Sequence, residues 1–556
     1  MFDPANGIPE HPNTASLDPR AKDAADLPPV IASSSFRDVV ASGAALIVWI
    51  VAFTYLKLRP DQLLHAKYFL FSDGGQYLWV IDRLRHGRHL FTEVHWYYGV
   101  IPLWACQGFA GALGNSAGTF ATYTLTCMAL NVGLACWWLS RLMTLRWAVA
   151  GVLLSLAPWL VRNIVTPIHV PWEITALLLL AIAWKPMGER GVMRQIGLGA
   201  LIVSMLMIKI PMFVAGAVTL FATDFVMEFR TDKIGRIARN FIRHYWATVL
   251  TCVLGLGLFL AWMWWMTAGD AGIWFDTVLP LYQLTAYAAS SMPPIWLDWR
   301  GVPFLLFNQL PLATAITGTI GLVAWALRRR DWKRQTWIAG GGMFMPLALL
   351  LSPLSVVRIT AHFYQYSWMG FISLAICLPL LPKRTRLGAV ALLLFFACAL
   401  PYKMFSQPNN LTRHSLPNGQ ALWFAEEESS KWAGIYNAWQ THMEEGRKSM
   451  LVLLIGAGSN FYGNIPQNFR QYYYYPGFIR RYDLDWLAAH QGEFCGAVVT
   501  GNPKQLDALA MGPTEQAMLY LDPGWREDRI KIGTPDRVGE TCLFLPFVPE
   551  KKPTEK

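Results

Sequence analysis

With 54% hydrophobic and 14% aromatic residues and only 15% charged, a chain of 556 residues is too apolar to be an ordinary soluble protein. Its formal charge of +11 would suit nucleic acid, but the basic residues cluster in short loops between apolar runs, as orientation signals do. Nucleic-acid binding is therefore set aside, and a multispanning membrane protein is expected. Many of the 26 Trp and 20 Tyr fall near the ends of the apolar runs, where amphipathic rings prefer the headgroup level.

Residues 1–40 are polar and rich in Pro, Ala, Ser and Asp. They lack the basic start, short apolar core and cleavage site of a secretory signal, and read as a disordered cytoplasmic tail. The first apolar run covers 41–58, and a loop covers 59–100. Further runs of membrane-crossing length lie at 117–140, 147–161, 171–184, 247–266, 302–327, 336–355, 363–381 and 387–402. Basic loops at 141–146, 185–194, 230–243, 328–334 and 383–386 are cytoplasmic by the positive-inside rule.

Between Arg194 and Arg230 about 30 apolar residues are interrupted by Ile208-Lys209-Ile210-Pro211. Both flanks carry cytoplasmic-type charge, so two short helices meeting at the Lys-Pro satisfy the parity that one long helix breaks. That hairpin brings Lys209 to the outer side. The stretch 97–114 is read as an interfacial or re-entrant helix, because counting it as a span reverses the side expected for Arg141 and Arg146. The expected fold class is a polytopic α-helical membrane protein of about 11 to 13 spans, with the helical module at 41–402. Residues 403–556 carry alternating, β-rich runs at 450–458, 496–500, 518–521 and 541–545, and form an extracytoplasmic α/β domain.

On this map the polar residues of unusual placement gather outside. The segment Phe71-Ser72-Asp73-Gly74-Gly75-Gln76 opens a helix-like run and is followed by Leu90-Phe91-Thr92-Glu93-Val94-His95-Trp96-Tyr97-Tyr98-Gly99-Val100-Ile101-Pro102. An acidic residue before a surface-lying helix suits a lipid-facing active site, so Asp73 is the leading candidate. The competing reading makes Ser72 and Asp73 the cap of a helix beginning at Gln76. Glu93 is either a second acid or the partner of Arg88 or His95. His169 sits between two prolines, as a cavity-lining or a turn residue. The loop at 269–300 has a length common in lids and binding elements. Cys495 and Cys542 lie beside strands of the outer domain, where a disulfide is permitted in an oxidising compartment; two free core thiols are the alternative.

The order "Asp-Gly, about a dozen helical residues, Arg/His-Gly, an aromatic, an acid, Tyr-Gly and Pro" over 71–102 resembles the first outer loop of the GT-C superfamily of polyprenyl-phosphate-sugar-dependent glycosyltransferases. The nearest group is similar to protein O-mannosyltransferases and lipid A aminoarabinose transferases. Ile208-Lys209-Ile210-Pro211 looks like the Lys-bearing break of that family's mid-chain hairpin, and Arg358-Ile359-Thr360-Ala361-His362-Phe363-Tyr364 looks like the segment opening a late span. Gly456-x-Gly458 and Arg470-Gln471-Tyr472-Tyr473-Tyr474-Tyr475-Pro476 fit its soluble C-terminal portion.

The resemblance implies an inverting transferase of the bacterial inner membrane that moves a sugar from a polyprenyl-phosphate donor to a glycan, lipid or protein acceptor. In it Asp73 is the general base, assisted by Glu93. Lys209, Arg358, Arg162 and His362 contact the donor phosphate, with snorkelling at the interface as the bland alternative for each cation. His95, Tyr97, Tyr98 and His169 face acceptor or sugar. Relatives often carry Asp-Glu where this chain has Asp73-Gly74, which moves the second acid's role to Glu93. The spacing of Asp73, Glu93, His95 and His169 matches no compact metal motif, and neither metal nor cofactor is expected. A transporter or flippase, an O-antigen ligase or polymerase, and a membrane scaffold are the rival readings; a single broken helix with no matching second half speaks against a transporter, which often shows breaks in corresponding positions of two halves.

Overall fold

A computed structural model describes residues 36–57, 64–96, 98–141, 143–162, 168–185, 187–229, 234–278, 371–372, 375–376, 378, 383–405, 410–453, 456–470, 481–501, 506 and 530–548. Tyr97, Arg358, His362, the tyrosine run at 472–475 and the expected spans at 302–327 and 336–355 lie outside the described residues.

Helices dominate the described residues up to 405. In chain order they are α1 (Phe36–Lys57), α2 (Ala66–Phe69), α3 (Asp73–Arg85), α4 (Val100–Leu113), α5 (Ala117–Ser140), α6 (Leu145–Arg162), α7 (His169–Ala183), α8 (Val192–Leu206), α9 (Ile210–Phe229), α10 (Ile234–Met266), α11 (Ala271–Val278) and α12 (Lys383–Phe405). Helix α1 starts at Phe36, so residues 36–40 of the segment expected as a tail are helical. Residues 117–140 and 239–266 are long and apolar enough to cross a membrane. Along α10 the side chains of Trp246, Val249, Leu250, Val253, Leu254, Leu258 and Trp265 are exposed, an apolar face suited to lipid rather than to water. Helix α4, at 14 residues, spans about 21 Å, short of a hydrocarbon core of about 30 Å.

The expected hairpin is present. Helix α8 stops at Leu206 and α9 starts at Ile210, with Pro211 in its first turn, where a missing N–H is tolerated. A Cβ on Gly216 of α9 would meet the Met205 sulfur at 2.4 Å and Ile202 at 4.0 Å, so the two helices fold back on each other about the Lys209 break. Their packing faces join a core with α5, α6 and α7 that includes Leu139, Leu177, Trp184, Ile202 and Met205.

The C-terminal region holds a hairpin of β1 (Thr412–Ser415) and β2 (Ala421–Phe424), and a four-stranded sheet of β3 (Ser449–Val452), β4 (Phe494–Thr500), β5 (Asp536–Val538) and β6 (Cys542–Pro546). The sheet order is β3-β4-β6-β5, with β3 parallel to β4 and the other pairs antiparallel. Alternating side chains fill two cores, one with Leu451, Ala497, Val499, Leu543 and Leu545, the other with Met450, Val452, Val498, Cys542 and Phe544 under helix α13 (Glu426–His442). This register excludes the disulfide that the sequence permits and leaves the alternative of two free core thiols. Cys542 pairs with Thr500, whereas the Cys495 carbonyl accepts from Phe547 N–H at the far end of the same ladder. Five residue steps separate them by about 17 Å, against a Cα separation below about 7 Å for a bridge. Both are free buried thiols, and burial pushes each up to about 11.

The C-terminal region does not stand apart. Helix α14 (Ala457–Gly463) and β2 share one core with the first loop, in which Phe69, Tyr77, Trp96 and Phe120 meet Leu422, Phe424, Ala457 and Tyr462. Trp423 N–H also donates to the Leu64 carbonyl at 2.9 Å.

Candidate functional site

Asp73 begins α3 rather than capping it. Ser72 is the N-cap and makes no side-chain cap bond, so the helix starts three residues before the Gln76 that the capping reading required. The half-buried Asp73 stands in the first turn, where the helix dipole favours a negative charge. The glycines behind it are steric necessities. A Cβ on Gly75 would lie 1.7 Å from the Phe69 carbonyl oxygen and 2.7 Å from the Gly458 Cα, so α3 and α14 cross backbone to backbone at these two residues. Ser459 Oγ closes the contact by donating to the Leu70 carbonyl at 3.3 Å. A Cβ on Gly74 would come within 2.7 Å of the Tyr68 carbonyl oxygen. A second acid beside Asp73 has no room in this packing.

One turn along α3, the buried Tyr77 packs against Trp96 and Tyr98, with ring centroids 5.6 and 6.4 Å away. Tyr98-Gly99 in turn docks on the hairpin break. Gly99 N–H donates to the Ile208 carbonyl at 3.0 Å and Ile101 N–H to the Met207 carbonyl at 2.9 Å. A Cβ on Gly99 would strike the Met207 carbonyl carbon at 2.1 Å, so this approach admits only glycine. Here four groups converge. Lys209 Nζ lies 3.4 Å from Glu173 Oε1 and 3.5 Å from His169 Nε2, and His169 stacks on Tyr98 with centroids 4.0 Å apart. Lys209 Nζ also stands 5.9 Å above the Tyr98 ring, within cation–π range. Glu173 and His169 are fully buried, one turn apart on α7.

The loop between α3 and α4 is held from two sides. Glu93 accepts from Arg88 Nη1 at 2.9 Å and from His89 N–H at 2.7 Å. The His89 amide is the main reason that the Glu93 carboxyl sits below the usual range, with Arg88 adding to it. His95, expected to face outward, is only 1% exposed. Burial, then the Arg470 charge, holds its imidazole well below the ordinary histidine range, and the His95 backbone N–H donates to the Arg470 carbonyl at 2.9 Å. Arg470 pairs with the buried Asp483 and donates from Nη1 to the Phe91 carbonyl at 3.2 Å. That contact helps hold Phe91 at φ 70°, a left-handed conformation that a bulky residue rarely adopts. Asp276, in the helix that opens the long loop expected over 269–300, accepts from Tyr482 at 3.0 Å.

Several solved structures are similar to this chain. Two of them are ArnT from Cupriavidus metallidurans bound to undecaprenyl phosphate, with 13% identity and a TM-score of 0.46, and the same protein in the apo state, with 12% identity and a TM-score of 0.44. Each likeness covers 91% of this chain and 97% of the other. No family model matches the chain, and no curated protein does. At these TM-scores neither likeness bears on the reaction.

Of the residues singled out from the sequence, the structure brings Lys209, His169 and Tyr98 into contact, and joins them through Tyr77 to the helix that carries Asp73. Glu93 and His95 are engaged elsewhere, by Arg88 and beneath Arg470. Arg162 closes α6, its side chain outside the described residues. Among the described residues no cluster of His, Cys, Asp or Glu could hold a metal ion. Two residues escaped the sequence reading. Glu173 carried a usable signal, a lone carboxylate in an apolar run and four residues after His169. Arg470 carried none, since its partners come from distant segments.

The Glu93 pairing makes a pH prediction. Its folded-state pKa is depressed, so its contribution is present above its ordinary value of 4.5 and is lost as pH falls through the lower folded value. Comparing unfolding midpoints of the wild type and Glu93→Gln between pH 3 and 6 is expected to show a gap that opens as pH rises toward 4.5, is fully present above it and is small throughout, as for an exposed pair. A gap that widens on acidification would contradict the assignment.

Proposed function

We propose that this chain is a GT-C type glycosyltransferase of the bacterial inner membrane, working on its noncytoplasmic face with a polyprenyl-phosphate-linked sugar as donor. The observation that carries the reading is the docking of the Lys209 break on Tyr98-Gly99. It gathers the two most motif-like segments of the sequence into one cluster that is polar, aromatic and cationic beside an acidic helix start. The apolar exposed face of α10 supports the membrane setting.

In the proposed reaction the acceptor hydroxyl oxygen forms a bond to the anomeric carbon as the bond from that carbon to the phosphate oxygen breaks. Asp73 takes the hydroxyl proton, and polyprenyl phosphate leaves with the bonding pair. Displacement from the face opposite the phosphate inverts the centre. General-base assistance of this kind contributes about 10²- to 10⁴-fold. Lys209 meets the negative charge of the phosphate, which a fixed cation in a partly dry site stabilises as it develops. Tyr98 and His169, stacked beside the ammonium, shape the sugar's end of the site. The C-terminal domain packs on the back of α3 and keeps Asp73 in place.

The test is to supply purified protein with polyprenyl-phosphate sugars one at a time, with envelope glycolipids as acceptors. At least one donor is expected to be consumed with release of free polyprenyl phosphate. Movement of intact donor between leaflets of a vesicle without release of polyprenyl phosphate would mark the protein as a transporter instead.

A further inference from the structure

We infer that Glu173 is a positioning residue that holds the Lys209 ammonium at the site. Its role in donor binding rests on the transferase reading above, whereas its hold on Lys209 does not.

A fully buried carboxylate is tolerated only where cations or hydrogen bonds compensate it. Glu173 is 0% exposed, yet its Oε1 lies 3.4 Å from Lys209 Nζ and 3.8 Å from His169 Nε2. Lysine is a compact charge on a flexible four-carbon stem, and at a surface it samples many rotamers. Here the stem emerges from a break between two helices, and the charge is fixed by a group on a third.

That third helix is itself rigidly placed. Asn131 Nδ2 donates to the Pro171 carbonyl at 2.9 Å, Thr175 Oγ1 donates to Asn131 Oδ1 at 2.8 Å, and Trp172 Nε1 donates to Tyr123 Oη at 2.8 Å. Pro171, Trp172 and Thr175 surround Glu173 in sequence, so the carboxylate inherits its position from the packing of α7 on α5. Lys209 keeps 19% of its side chain exposed, while Glu173 and His169 keep none. The ammonium is thus gripped from the buried side and meets an incoming anion from the other. Glu173, fully buried behind the ammonium, acts on an incoming anion through Lys209.

The experiment uses the full chain in detergent and reads Lys209 directly. Acetylation by acetic anhydride, followed by mass spectrometry, compares Lys209 with the exposed Lys448 of the same molecule. In Glu173→Gln the relative reactivity of Lys209 is expected to rise several-fold and KM for a polyprenyl-phosphate sugar to rise about tenfold, the scale of one lost contact to a charged group, with kcat falling as well because Lys209 meets the charge that develops on the leaving phosphate. Glu173→Asp is expected to recover part of each. Unchanged Lys209 reactivity in Glu173→Gln overturns the inference. Raised reactivity with an unchanged KM leaves the pairing standing and removes Lys209 from donor binding. Should Glu173→Gln not fold, the double variant Glu173→Gln/Lys209→Gln, which leaves no lone buried charge, is expected to fold, and its failure counts against the pairing.

Discussion

Replacing Asp73 by Asn is expected to lower transfer by about 10²- to 10⁴-fold, the usual contribution of a positioned general base, in a protein that still folds. Asn keeps the shape and leaves the backbone of α3 untouched. The helix start loses only the attraction between a carboxylate and the dipole, about 0.3 to 1 kcal/mol. Turnover of a polyprenyl-phosphate sugar and the unfolding midpoint, measured on one preparation, separate the two effects. If turnover persisted near the wild-type rate, Asp73 would not be the base, and the first turn of α3 would be only structural. A matching loss in midpoint and turnover would point to the same conclusion.

The second large effect is expected from a single methyl group. In Gly75→Ala the new Cβ would stand 1.7 Å from the Phe69 carbonyl oxygen and 2.7 Å from the Gly458 Cα. Both are backbone atoms, so no side chain can rotate away. Either α3 shifts from α2 or α14 lifts off, and each breaks the core shared by Phe69, Tyr77 and Tyr462. Overpacking of this severity costs about 3 kcal/mol, and transfer should fall with stability because Asp73 lies two residues away. Thermal unfolding and limited proteolysis of the C-terminal region read the change. Gly108→Ala is the control, since a Cβ there meets nothing within 4 Å, and helix propensity alone makes it neutral or stabilising. Equal midpoints for the two variants would mean that the α3–α14 crossing is not tight.

Much of the helical plan was legible along the chain. Apolar runs bounded by charge mark helices because an apolar stretch must be buried or set in lipid wherever it occurs, and the run expected at 117–140 is the helix Ala117–Ser140. The hairpin was readable from the Lys-Pro alone, since proline at a helix start and a change of parity are local facts. The strands at 450, 496 and 542 were visible for the same reason, as alternation needs no knowledge of partners.

The candidate site was legible in part and for a different reason. Asp73 and Lys209 stood out as charges at the borders of apolar runs, but their neighbours did not. His169 and Lys209 are 40 residues apart, and Leu70 and Ser459 are 389 apart. Whether such pairs meet depends on where long connections close, which no local pattern records. His95 reads as a loop residue and is buried because Arg470 comes to lie on it. Cys495 and Cys542 read as residues beside strands of the outer domain, where a bridge is permitted, and are kept apart by antiparallel register. The Asp73-Gly74-Gly75 segment reads as a carboxylate with two flexible residues, and the glycines prove to be where α3 and α14 touch.

From the sequence alone, then, came a mostly helical chain with a C-terminal sheet region, most described helices, the broken hairpin and the place of Asp73 at a helix start, because each follows from local polarity and backbone chemistry. The tertiary structure alone decided that Glu173 grips Lys209, that Tyr98 and His169 stack beside it, and that the C-terminal region forms the back wall of α3. Burial creates those pairings, and burial is a property of the whole packed chain rather than of any stretch of it.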